Sequence, residues 1–103
     1  MRFIKLNRNT ATGLTPRNAV RQMIQATMRA TNINGALHVS LADAAGNYWV
    51  AFENHGHASA FLDILGQLGV RRLDQSTETP QGYRFGRVNI ATDSVEFPGG
   101  SSV

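Results

Sequence analysis

Hydrophobic and polar positions along this chain change period several times, and each change marks a predicted element. "RFIKLN" (Arg2–Asn7) alternates with period two, placing Ile4 and Leu6 on one side and Phe3, Lys5 and Asn7 on the other, the pattern of a short strand. After the loop "RNTATGL", the stretch "TPRNAVRQMIQATMRA" predicts a helix with Thr15 as N-cap and Pro16 at the first helical position. At about 100° per residue, Ala19, Val20, Met23, Ile24, Thr27 and Ala30 share one side of it. Arg17, Arg21, Gln25 and Arg29 line the other. "NING" ends the helix, with Gly35 as the turn residue.

Alternation returns in "ALHVSLA" (Ala36–Ala42) and "YWVAFE" (Tyr48–Glu53), which flank "DAAGN" and so predict a β-hairpin. A second helix runs from about His57 to Leu68, packing through Ala58, Phe61, Leu62, Leu65 and Leu68 and closed by Gly69. "VRRLDQST" and "YRFGRVNIA" predict a last strand pair joined by "ETPQG". The domain is expected to span residues 1–92, and the Gly-, Pro- and Ser-rich stretch 93–103 to be a flexible tail in which Val95 and Phe97 alone could dock.

The resulting order, β-α-β-β-α-β-β, is that of an α+β, ferredoxin-like sandwich: an antiparallel sheet with two helices on one face. Each strand then turns its apolar set toward the helices: Ile4, Leu6, Leu37, Val39, Leu41, Tyr48, Val50, Phe52, Val88 and Ile90. Strict alternation leaves Phe3, Lys5, His38, Ser40, Asn47, Trp49, Ala51, Tyr83, Phe85 and Arg87 on the opposite, open face. The only tryptophan of the chain therefore points away from the main core.

Composition sharpens this reading. A chain of 103 residues with 42% hydrophobic and 17% charged residues is one globular domain. It has no cysteine, which excludes disulfide and thiol chemistry, and no apolar run of the roughly 18 residues that a membrane span needs. "MRFIKLNRNT" lacks the apolar region of a secretory signal, so cytoplasmic residence is the expectation. Charge is divided unevenly. Met1–Gly35 holds six basic residues and no acidic one, whereas the remainder holds four basic and seven acidic, so the net +3 arises wholly from the first third. A polyanion or an acidic protein is the partner such a surface suits.

A sheet face carrying Phe3, Trp49, Tyr83 and Phe85 among Lys5 and Arg87 has the makings of a stacking platform: rings cover unpaired bases at about 1–3 kcal/mol each while the cations meet phosphates. Here the chain resembles the RNA-recognition motif. Laid on that family's third-strand signature, "AGNYWVAF" matches at Gly46, Trp49, Val50 and Phe52 and departs at Ala45, Asn47 and Tyr48, so a basic residue and one of the usual stacking rings are missing. Phe3 stands where the family keeps its first-strand aromatic, Ala58 falls where its second helix often has an alanine, and "GRVNIA" looks like its last strand. The open face, independently of the resemblance, suits single-stranded nucleic acid, RNA favoured, with Phe3, Trp49, Tyr83 and Phe85 stacking, Lys5 and Arg87 meeting phosphates and Asn47 beside them.

Other readings of the same face stay open. It could be a homodimer seam, could be covered by the tail through Val95 and Phe97, or could recognise another protein, since Trp, Tyr, Phe and Arg are enriched at protein interfaces. The last would make the chain a small inhibitor or adaptor of the phage or plasmid type. The stripe Arg17, Arg21, Arg29 is a second basic surface, without acidic residues three or four positions away to neutralise it. "HGH" sets His55 and His57 near Glu53, with His38 on the sheet, but no catalytic or metal-binding spacing accompanies them. A non-enzymatic binding module without cofactor or metal is the expectation.

Overall fold

In the computed structural model, which describes residues 1–9, 15–29 and 36–99, the chain runs β1 (Arg2–Asn7), α1 (Pro16–Arg29), β2 (Leu37–Ser40), β3 (Asn47–Phe52), α2 (His55–Gln67), β4 (Asp74–Ser76), β5 (Phe85–Asn89) and β6 (Ser94–Glu96). Both helices begin on side-chain caps. The Thr15 hydroxyl accepts from the Asn18 N–H at 3.3 Å, and the Asn54 side chain accepts from the His57 N–H at 3.2 Å, each satisfying a donor that the first helical turn leaves unpaired. At its end α2 closes through Leu68 N–H to Ile64 and Val70 N–H to Leu65, with Gly69 at φ 70° making the reversal that a side chain would strain.

The strands form one six-stranded sheet, order β4-β1-β3-β2-β5-β6, in which every pair is antiparallel. β3 lies between β1 and β2, and β1 lies between β3 and β4, so two βαβ crossovers interleave. This is an α+β fold compatible with the ferredoxin-like layout, but its strand order differs because β5 and β6 extend the sheet beyond β2.

Both helices pack on one face over Ile4, Leu6, Leu37, Val39, Tyr48, Val50, Phe52 and Val88, all buried as the alternation predicts. Leu41 and Ile90, expected in the same core, are 42% and 37% exposed because they sit just beyond the last residues of β2 and β5. In α2 it is Ile64 that is buried, while Leu68, beyond the helix's last full turn, is 53% exposed.

The final strand pair differs from expectation. "VRRLDQST" and "YRFGRVNIA" do not meet: β4 pairs with β1 at one side of the sheet and β5 with β2 on the other. The crossover through α2 delivers β4 beside β1, which leaves the free edge of β2 as the place for β5. The partner of β5 across its own turn is β6, built from the stretch expected to be a loose tail. Val88 faces Val95 in that pair, and Val95 and Phe97 are fully or almost fully buried in the main core. The tail expectation is therefore corrected over residues 94–97, while residues 100–103 lie outside the described set. Arg21 Nε and Asp93 Oδ2, 3.3 Å apart, form an exposed ion pair between α1 and this last turn.

Candidate binding surface

The hairpin that carries Trp49 is shaped by its turn. Asp43 Oδ1 accepts the N–H groups of Ala45 and Asn47, both at 2.9 Å, and Gly46 turns the chain at φ 88°. A Cβ at Gly46 would also press on Asn9 Nδ2 at 2.6 Å, the end of an exposed side chain that can move, so it is the positive φ that calls for glycine. β3 then presents Asn47, Trp49 and Ala51 to the face opposite the helices, beside Phe3 and Lys5 of β1 and His38 and Ser40 of β2. The Ser40 hydroxyl accepts from the Trp49 backbone N–H at 2.8 Å, pinning the tryptophan in register.

The side of the sheet expected for each residue is therefore right, but the face is not open. To pass from β4 to β5 the chain must cross four strand spacings, about 19 Å, and residues 77–84 make that journey. They end by laying Tyr83 against Trp49 and Phe85 against Phe3, with ring centroids 6.3 and 5.4 Å apart in edge-on geometry. Ala51, in the middle, is small enough to let the rings close over it. The result is a second core of Phe3, Trp49 and Ala51 beneath Tyr83 and Phe85, in which Phe3 and Trp49 keep 3% and 6% of their surface. Neither ring can meet a base in this arrangement.

The remaining residues of the predicted surface divide between structure and solvent. Lys5 Nζ lies 5.8 Å from the Trp49 ring centroid, a cation on the rim of the small core. Asn47 is engaged in structure, accepting from Asn7 Nδ2 at 2.7 Å. Tyr83 and Phe85 are half-buried; Arg87 is exposed. Of the basic stripe, Arg17 is exposed and Arg21 is held by Asp93, while the side chain of Arg29 lies outside the described residues.

One contact latches the cover. The Tyr83 hydroxyl donates to Asp43 Oδ2 at 2.8 Å. This bond, with the Asn47 N–H, holds the Asp43 carboxyl below the usual range, and the carboxylate in turn raises the Tyr83 phenol above its usual value. The depressed carboxyl contributes stability that is lost as pH falls, and the raised phenol contributes stability that is lost as pH rises. Trp49 emission should hold steady between about pH 4 and pH 10 and redden outside that window. Tyr83→Phe should be redder already at neutral pH and lack the alkaline change. An unaltered emission profile in that variant would show that the bond latches nothing.

The histidines do not converge. His55 is exposed in the first turn of α2, and His57, two residues on, is 1% exposed within it. His38 Nε2 is buried without a hydrogen bond and faces Glu53 Oε1 at 4.0 Å; burial lowers its pKa more than Glu53 raises it, with Arg87 lowering it further. Among the described residues no three His, Cys, Asp or Glu side chains are placed to share a metal, and no helix is long and apolar enough to cross a membrane.

What sequence reasoning missed lies at the other end of the sheet. Where α2 gives way to β4, a groove of about 800 Å³ opens between the helix end and the strand, floored by Leu62, Leu65 and Val70 and edged by Arg71, Arg72 and Leu73. Leu73 in this lining is 52% exposed, and Leu68, at the end of α2, is 53% exposed. The signal was the pair of leucines flanking "GVRR", which helical and strand periodicity both claim for the core. No family model, curated protein or solved structure matches this chain.

Proposed function

We propose that this protein is a non-enzymatic interaction module on a ferredoxin-like core, and that its partner is another protein. The observation that carries this reading is the closure of the aromatic face by the chain's own residues. A base-stacking platform must offer bare rings, and here the two rings deepest in the face are buried, while Leu73, about half exposed, lies beside Arg71 and Arg72 in the lining of the α2–β4 groove. Exposed apolar groups next to arginine are typical of surfaces that dock protein.

Single-stranded nucleic acid is the second reading, favoured by one observation: the indole N–H of Trp49 is buried and, facing the Tyr83 hydroxyl, makes no hydrogen bond of full geometry. A poorly paired buried donor is costly, and lifting residues 77–84 would release it toward a ligand. A Trp49 fluorescence titration with short single-stranded RNA and DNA at two salt concentrations decides between them. On the protein-partner reading the emission is blue and indifferent to oligonucleotide. Red-shifted emission quenched by oligonucleotide and recovered with salt would instead establish nucleic acid as the ligand.

A further inference from the structure

We infer that the α2–β4 groove binds an acidic, leucine-rich peptide segment of the partner protein; this rests on the protein-partner reading and names its site and ligand chemistry. The groove joins two features that suit one occupant. Its lining includes the half-buried Leu62 and Val70 and the exposed Leu73, apolar side chains that aliphatic groups of a ligand can meet. Its rim carries Arg71 and Arg72, both exposed and, among the described residues, held by no ion pair or hydrogen bond. A third arginine, Arg2, reaches the same rim through Nη2 to Gln75 Oε1 at 2.9 Å.

The one carboxylate in the lining, Asp74, is already engaged. Its Oδ1 accepts the N–H of Gln75 at 2.8 Å, and since β1 is the only strand beside β4 among the described residues, that N–H is the one turned to the outer edge. The strand thus caps its own edge, and the occupant docks by side chains rather than by adding a strand. Charge selects among occupants. A second copy of this chain carries +3 overall, so long-range charge does not favour its approach to Arg71 and Arg72. A nucleic acid satisfies the arginines but leaves the leucine floor without an apolar partner. A segment that alternates leucines with glutamate or aspartate satisfies both.

The test uses the full chain and a fluorescein-labelled peptide of repeating Leu-Leu-Glu-Glu, read by anisotropy and by amide shifts, beside its leucine-to-serine and glutamate-to-lysine analogues and an oligouridine. The parent peptide should bind and shift amides of residues 62–75, the analogues should not, and the double variant Arg71→Glu, Arg72→Glu should bind about tenfold or more weakly. Arg17→Glu, an exposed arginine on α1, should bind as the wild type does. No binding of the parent peptide at millimolar concentration, or equal binding by the Arg71/Arg72 variant, overturns the inference. Peptide shifts confined to another surface overturn the groove but leave the protein-partner reading standing, whereas oligouridine as the only ligand overturns both.

Discussion

Trp49→Ala will cost this protein about 3–5 kcal/mol of stability, the range for emptying a packed aromatic site. The indole is 6% exposed, packed against Tyr83 and flanked by Lys5, and the site it would vacate is bounded by β1, β3 and the 77–84 connection, which cannot all move in to fill it. Against a total of about 5–15 kcal/mol for a domain, that loss is large. It should be seen in urea unfolding followed by circular dichroism, where the midpoint falls with little change in slope. The same substitution on an open stacking platform would leave stability within about 0.5 kcal/mol. A near-neutral result would therefore reopen the face and restore the case for bases upon it.

Phe97→Ala should be comparably costly, about 3–5 kcal/mol, because the ring is 4% exposed in the main core. Gly86→Ala tests the same docking from the other side. A Cβ at Gly86 would stand 2.5 Å from Val95 Cγ1 and 2.9 Å from two carbons of the Phe97 ring, so β6 and the segment after it must shift to admit a methyl group. Overpacking of this kind costs about 1–3 kcal/mol. Thermal melts of the two variants give the measurement. If residues 94–97 were a loose tail, both variants would melt with the wild type.

Local pattern carried a good part of the fold. Thr15-Pro16 marked the start of α1 and Gly69 the end of α2 within a residue or two, because capping depends on neighbours a turn away. Alternation placed Ile4 and Leu6 against Phe3 and Lys5 on opposite sides, because side chains along a strand have no other choice. Leu41 and Ile90 escaped that logic, since alternation persists in sequence after pairing has ended.

The readings that did not survive are those that depended on which segments meet. "YRFGRVNIA" looks equally suited to β4, to β2 or to β6, and nothing within it says that it takes two of them and not the third. "DSVEFPGGSSV" has the composition of a frayed end, yet Val95 and Phe97 find a site because Gly86, nine residues before Val95, offers no side chain there.

The sequence by itself determined the two helices, the first five strands and the side of the sheet on which Trp49 lies, all consequences of backbone geometry repeating over a few residues. Only the tertiary structure decided that this side is closed. The reason is topological: once the α2 crossover puts β4 at one edge and β5 joins the other, residues 77–84 have to cross the sheet, and the helices already occupy its other face. Tyr83 and Phe85 were legible as aromatic residues, and only their arrival over Phe3 and Trp49 turned a platform into a second core.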